Sequence, residues 1–363
     1  MKILLVLKRF DFGGAENHVC DLANSLYELG NEVYLVSSKG RQLTRLNKGV
    51  HFIPYTSRDI LLPINFIFLF RQVKKYHIDI IHAHQRLAIF TSCILKKFID
   101  IPVVATVHGR TRLDLKSIIA KSTPDRIIFV SQRVLEVSAC YEEIRTKSIV
   151  IPNGVEAIEG DKLQTSPSFT YVSRVDRNHS KVILMIIQQI LPKLVEEIRD
   201  LTFNLIGEGN CSMQIRNIAK KLNRKFNREV CKIWDYQPNV KDIFRNSSLV
   251  LGVGRVALEA LACGVPVLSI NKKRLGSLIS KDNYHEYKVN NFVAIDKPPP
   301  SENELYHILK DYFSDRDKWQ EEAKIIQGYV KEDFDLSNLT RKIVGVYNEA
   351  IILRKIGYIG GRN

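Results

Sequence analysis

At 363 residues, with 45% hydrophobic and 26% charged side chains, the chain has ordinary globular composition, which excludes disorder, and exceeds what one hydrophobic core usually serves. Lys+Arg 54 against Asp+Glu 39 leaves a formal charge of +15, and residues 1–155 carry the denser share of it. Such a balance suits nucleic acid, an anionic membrane face or acidic small ligands. Without zinc-finger spacing, an RNP-like aromatic strand or a long Lys/Arg run, no nucleic-acid partner is expected.

Ile3–Leu7 reads as a short apolar strand, followed by a loop over Lys8–Gly14. A helix is expected from Ala15 to Leu29, with Val19, Leu22, Ala23 and Leu26 on one face and Gly30 as its stop. Val33–Val36, Val50–Ile53, Ile78–Ile81, Val103–Val107 and Ile127–Val130 read as strands with helical segments between most of them. That alternation implies a parallel sheet covered on both faces. Ile60–Phe70 is apolar and aromatic, and Arg71, Lys74 and Lys75 follow it. It reads as a buried helix leading into the Ile78 strand, with an interfacial helix on a membrane as the alternative.

Ile149–Val155 closes this series, and the polar stretch Glu156–Ser168 reads as a linker. A second series follows: strands at Phe169–Val172, Phe203–Ile206, Val230–Trp234, Val250 and Val267–Ile270, with helices after Lys181 and over Met213–Leu222. Pro298–Pro300 precedes a largely helical tail, 302–357. The expected domains are 1–158 and 159–340, with 341–363 a helix packing back toward the first. Six scattered cysteines without C-x-x-C read as buried thiols of a reducing compartment. The first apolar run is too short for a signal peptide, and no run reaches about 18 apolar residues, so a cytoplasmic protein is expected.

The chemistry-bearing residues fall at strand ends. Gly13-Gly14 opens the first helix and can let backbone approach a phosphate, or can be a plain turn. His82 and His84 end one strand and His108 another, where an α/β sheet offers its ligand rim. His82-Ala83-His84 without a nearby third His or Cys argues poorly for metal, so no metal site is expected. Arg174 and Lys181 follow the Phe169 strand and suit a diphosphate, or are solvated surface cations. Val250–Ser269 reads strand, glycine turn (Gly252, Gly254), helix with Glu259, glycine stop, strand. Asp333-Phe334-Asp335 lies in the helical tail, and Ser131, Asp125 and His108 make no recognisable triad.

Taken in order, Gly13-Gly14-Ala15-Glu16, I-D-I-I-H-A-H, T-V-H-G, I-P-N-G-V, S-R…K, I-G-E-G and L-E-A-L-A-C-G-V-P-V resemble the family 4 retaining glycosyltransferases of GT-B fold over nearly the whole chain. The resemblance implies an α/β fold of two Rossmann-like doubly wound domains facing across a cleft, acceptor side first and nucleotide-sugar side second. It implies metal-independent transfer of a hexose or hexosamine with retained configuration. The leaving phosphate itself would help to deprotonate the acceptor. No cofactor is implied: the nucleotide sugar is a substrate, a UDP-sugar favoured.

Carried over by position, Gly14 offers its N–H to the donor phosphate, His108 lies near the transferred sugar, Arg174 and Lys181 bind the diphosphate, and Glu259 takes the ribose hydroxyls. Gly13, Gly207, Gly209, Gly252, Gly254 and Arg255 complete the expected donor site. The expected acceptor is a glycan or lipid-linked precursor of a cell-envelope polysaccharide such as lipopolysaccharide or capsule, met by peripheral contact with the anionic inner face of the membrane.

Three departures stand out. Leu251 occupies the position eight residues before Glu259 where the family has a glutamate; Lys181 lies seven residues after Arg174 rather than five; and Trp234-Asp235-Tyr236 replaces a usual glycine. The rival readings are a nucleotide-sugar 2-epimerase and a non-catalytic scaffolding subunit.

Overall fold

The computed structural model describes residues 1–11, 13–57, 59–109, 123–138, 142–156, 166–237 and 239–360. Most of the expected linker and Cys140 lie outside them. Two compact units result, Met1–Gly154 with Phe334–Asn363, and Val155–Asp333.

The first unit is built on β1 (Lys2–Arg9), β2 (Glu32–Ser38), β3 (His51–Pro54), β4 (Ile80–His84), β5 (Val103–Val107), β6 (Arg126–Phe129) and β7 (Ser148–Val150). They form a seven-stranded sheet in the order β3-β2-β1-β4-β5-β6-β7, parallel throughout. The apolar run of β1 follows from burial on both faces. Ile3, Leu5 and Leu7 pack with Val19, Leu22 and Leu26 of the helix Gly14–Glu28, while Leu4 and Val6 pack with Leu69 and Val73 of the helix Leu62–Tyr76. Leu339, Ile343, Val346, Tyr347 and Ala350 of the last helix, Leu336–Gly360, complete the first of these layers.

The second unit carries β8 (Ser168–Val172), β9 (Thr202–Ile206), β10 (Cys231–Trp234), β11 (Leu249–Gly252), β12 (Val267–Asn271) and β13 (Arg274–Leu278). Their order is β10-β9-β8-β11-β12-β13, parallel except for β13, which pairs antiparallel with β12. β13 is absent from the sequence reading because R-L-G-S-L has no apolar run to mark it. Phe169, Tyr171, Phe203, Leu205, Leu249 and Leu251 lie in its core with the helices over residues 180–197 and Leu305, Leu309 and Tyr312.

Ile60–Phe70 differs from the expected buried helix. The helix starts at Leu62 and buries Asn65, Leu69 and Val73, leaving Ile60, Ile64 and Ile67 exposed. Among the described residues, no helix is long and apolar enough to cross a membrane. Of the described cysteines, Cys20, Cys93 and Cys231 are buried, whereas Cys211 and Cys263 are partly exposed.

Gly207 has φ +149, and a Cβ there would sit 1.9 Å from the carbonyl oxygen of Ser173. A Cβ on Gly14 would meet nothing within 4 Å. Gly207→Ala should therefore destabilise the protein by roughly 1–3 kcal/mol, and Gly14→Ala should change stability by less than about 0.5 kcal/mol. Urea unfolding of both variants measures this; equal stabilities would reject the close packing of the Gly207 turn.

Candidate functional site

In the second sheet the strand order reverses between β8 and β11, so the loops leaving these two strands diverge and open the place where such sheets take ligands. The loops after β8, β9 and β10 are laced together by backbone bonds. Ser173 N–H donates to Ile206 O (3.1 Å), Val175 N–H to Glu208 O (3.0 Å), Cys211 N–H to Val175 O (2.9 Å) and Gly207 N–H to Trp234 O (3.1 Å). The Glu208 carboxylate accepts the Tyr236 N–H at 3.1 Å. A Cβ on Gly209 would lie 2.2 Å from Val175 O, so Gly207 and Gly209 both have a packing reason to be glycine. Trp234 and Asp235 are also engaged by neighbours, through Asn204 Oδ1 (3.3 Å) and Arg216 Nη2 (2.5 Å).

Between Arg174 and Lys181, Asp176 fixes the loop. Its Oδ1 accepts the N–H groups of Asn178 (2.9 Å) and His179 (3.0 Å) and contacts His179 Nδ1 at 2.7 Å. The His179 bond holds the Asp176 carboxyl at about 2. Arg174 and Lys181 are both exposed on either side of this turn.

The turn after β11 presents the other half. Gly254 has φ +58, a conformation that suits glycine, and its N–H donates to Asn291 O at 3.0 Å. It caps the helix Arg255–Ala262. One turn on, Glu259 Oε1 accepts from Arg255 Nε at 2.6 Å, with both side chains less than a tenth exposed. Leu251 is fully buried in β11, within the core of the unit. The position eight residues before Glu259 therefore lies inside the strand, and the turn that follows, Gly252-Val253-Gly254-Arg255, carries no carboxylate.

A buried ion pair is costly to break from one side, by about 3–5 kcal/mol, because the remaining charge is stranded. Glu259→Ala should lower stability as well as ligand binding, and a double-mutant cycle with Arg255→Ala should recover much of that loss. Urea unfolding of the four proteins gives the coupling; additive losses would show that the pair carries no net interaction.

In the first unit Gly13 caps the helix Gly14–Glu28, and Gly14 is exposed at its start. Gln85 ties this turn to the end of β4. Its Oε1 accepts the Lys8 N–H at 3.1 Å, and its Nε2 donates to Glu16 Oε1 at 2.7 Å. Burial raises the Glu16 carboxyl despite that bond.

His82 and His84 are fully buried rather than on the rim. His82 bonds Tyr347 Oη and Thr106 Oγ1, both at 2.7 Å, and His84 Nδ1 lies 3.1 Å from His108 Nε2. The third histidine that the sequence reading lacked comes from the first helix. His18 stacks edge-on at 5.8 Å from His84 and 5.2 Å from His108. One ring nitrogen from each of the three lies within 4.8 Å of the others, a group whose spacing could hold a metal ion.

Burial pushes His82 down to about 3 and His84 well below the ordinary value, so both are neutral at pH 7. His84 Nε2 is buried without a hydrogen-bond partner. The 3.1 Å contact between His84 Nδ1 and His108 Nε2 holds one proton, carried by one ring and accepted by the other.

The remaining sequence candidates have structural work. Asp125 accepts from Lys96 Nζ (2.5 Å) and the Val103 N–H (2.8 Å), and Ser131 Oγ accepts the Val134 N–H at 3.2 Å. Asp333 accepts from Tyr284 Oη (2.9 Å) and from Lys288, and Asp335 accepts the Asn338 N–H at 2.7 Å. Thr106 opens the T-V-H-G motif, but nothing in the sequence pointed to Gln85, Tyr347 or Asn291.

Below pH 6.5 an unfolded histidine takes up a proton that His82 refuses in the fold down to about 3, so acid costs stability. The slope should approach about 1.4 kcal/mol per pH unit well below 6.5, and His82→Gln should lose about 1.4 kcal/mol less than the wild type between pH 7.5 and 5.5. Equal slopes in urea titrations would show that His82 charges in the folded protein.

Residues 12–158 match the family described as Glycosyltransferase Family 4, and residues 166–299 match Glycosyl transferases group 1. The chain is 26% identical over 301 residues to an uncharacterised glycosyltransferase of Methanocaldococcus jannaschii, covering 77% of this chain and 81% of that protein. It is 22% identical over 372 residues to the phosphatidyl-myo-inositol mannosyltransferase of Propionibacterium freudenreichii, covering 93% and 92%. Among solved structures it resembles a glycosyltransferase from Rickettsia africae (TM-score 0.72, 19% identity, 96% and 98% covered). It also resembles Anabaena HepE in complex with UDP-glucose (TM-score 0.73, 18% identity, 96% and 100% covered). The two family matches take in most of both units, and the chain belongs to the family 4 type glycosyltransferases of GT-B fold.

Proposed function

We propose that the protein transfers a hexose or hexosamine from a UDP-sugar to a lipid-linked precursor of a cell-envelope glycan, with retained configuration and without a metal. The observation that carries this reading is the helix Arg255–Ala262. Its glycine cap sets the helix N-terminus and the Arg255–Glu259 pair at the strand-order reversal of the second sheet, where a nucleoside diphosphate suits both the helix dipole and the cations. Glu259 takes the ribose diol, since one carboxylate can accept two hydroxyl protons, and Arg255 Nε holds that carboxylate in place. Arg174 and Lys181 stabilise the charge that grows on the leaving diphosphate. Gly14 offers its backbone N–H to the donor phosphate, and His108 lies near the transferred sugar. The glycine turns at Gly13, Gly207, Gly209, Gly252 and Gly254 keep backbone close to the donor.

Two similarities support the choice of substrates. HepE has been crystallised with UDP-glucose, and the Propionibacterium relative is named for mannosyl transfer to phosphatidyl-myo-inositol, a lipid. The basic first unit would take such an acceptor, at the inner face of the membrane. Leu251 in place of a glutamate favours a non-catalytic subunit, and the presence of Arg174, Lys181 and Glu259 speaks against it.

A panel of UDP-, GDP- and ADP-sugars should raise the melting temperature with a UDP-sugar, a ligand at 100 times its Kd adding about 2.7 kcal/mol to stability. Turnover with the best binder should persist in excess EDTA. A panel without any shift overturns the donor reading; activity lost to EDTA and restored by a divalent cation overturns metal independence and points to the three histidines.

A further inference from the structure

Four imidazoles gather in the first unit, and the fold treats them differently. β4 and β5 lie side by side, so His84 at the end of one and His108 just past the other emerge at the same edge of the sheet. His18 reaches them from the buried side of the helix Gly14–Glu28. His82 shows how the chain satisfies an imidazole with a purely structural part, since Tyr347 Oη and Thr106 Oγ1 take its two nitrogens. His84 is equally buried and lacks that treatment. One of its nitrogens meets His108, and the other, Nε2, is enclosed without a hydrogen-bond partner. Such an atom is costly to bury and calls for a ligand that the chain does not supply.

The spacing says what kind of ligand. One ring nitrogen from each of His18, His84 and His108 lies within 4.8 Å of the other two. Nitrogens that share a tetrahedral ion at about 2 Å stand about 3.3 Å apart, so each ring has less than about 1 Å to travel. A water molecule would serve one nitrogen; three converging imidazoles suit a cation that accepts lone pairs. The group contains neither carboxylate nor thiol. Imidazole ligands alone favour Zn²⁺, Co²⁺, Ni²⁺ or Cu²⁺ over Mg²⁺ and Ca²⁺, which take oxygen. Three ligands leave a fourth position open, and His108, half-buried where His18 and His84 are buried, is the member nearest solvent.

We infer that His18, His84 and His108 bind one transition-metal ion of the zinc type, and that this ion inhibits transfer. The step is coordination alone: each neutral ring gives one lone pair to the ion and keeps one proton on its other nitrogen. In the hydrogen bond between His84 and His108, one ring spends its only lone pair. Both can hold the ion only by giving that bond up, so His108 changes partner when the ion arrives. A residue held in this way is withdrawn from the donor sugar. The metal site stands on the first unit by itself; its inhibitory effect rests on the transferase reading.

The full chain, stripped with EDTA and dialysed free of it, is titrated with Zn²⁺ against a chromophoric chelator. One ion per chain should bind, Co²⁺ should bind with the visible absorption of a four-coordinate site, and Mg²⁺ should not compete. His18→Asn should keep its UDP-sugar melting shift and its turnover, lose zinc affinity by roughly tenfold or more, and turn over equally with and without Zn²⁺. His108→Asn, at a half-buried position, should lose the same affinity and serves if the change at buried His18 lowers the melting temperature. Zinc bound equally by the wild type and both variants sits elsewhere, as on the partly exposed Cys211 or Cys263, and overturns the site. Wild-type protein that binds no ion overturns it too. Saturating Zn²⁺ that leaves wild-type turnover unchanged, raises it, or lowers it equally in His18→Asn overturns the inhibition alone. A missing UDP-sugar shift in metal-free protein with zinc binding intact overturns the donor reading and leaves the metal site standing.

Discussion

A parallel strand cannot pass its chain to its neighbour through a hairpin; the chain must cross back over a face of the sheet before the next strand begins. In both units this makes the strands hydrophobic on both sides and collects the loops that leave them at one edge of each sheet. Apart from His82 and His84 within β4 and Gly252 at the end of β11, the candidate residues lie on such a loop or on the first turns of the helix that follows it. Core packing therefore fixes the ends of β1, β4, β5, β8, β9 and β11, and the chemistry is decided by a handful of residues beyond them.

Those ends are held by different physical means in the two units. In the second unit backbone does the holding: three loops exchange N–H and carbonyl groups, and glycine is needed where they pass closest. In the first unit side chains do it, through Gln85 between two loops and a column of imidazoles, of which burial keeps His82 and His84 uncharged. Tyr347 supplies a hydroxyl to that column from the last helix, so His82 has a partner on each ring nitrogen.

The parts of this arrangement legible in the sequence are those governed by local rules. Apolar runs of five or so residues marked strands, glycines marked the turns between them, and the helix Gly14–Glu28 showed its buried face by spacing alone. What could not be read depends on residues far apart in the chain. His18 meets His84 across 66 positions, and Tyr347 meets His82 across 265. β13 escaped because an edge strand need not be apolar. The Ile60–Phe70 stretch misled in the opposite sense, since hydrophobicity by itself does not say whether protein or lipid is to cover it.

The last helix also has a consequence for biosynthesis. Leu339, Ile343, Val346, Tyr347 and Ala350 belong to the core of the first unit, yet they leave the ribosome only after the whole of Val155–Asp333. The chain returns beside its point of departure, for a Cβ on Gly154 would lie 2.7 Å from Leu336 Cα. During translation the first sheet therefore waits with one apolar layer unfinished while the second unit, contiguous in sequence, can close by itself. The order of folding is then the reverse of the order of synthesis: the unit begun first is sealed last.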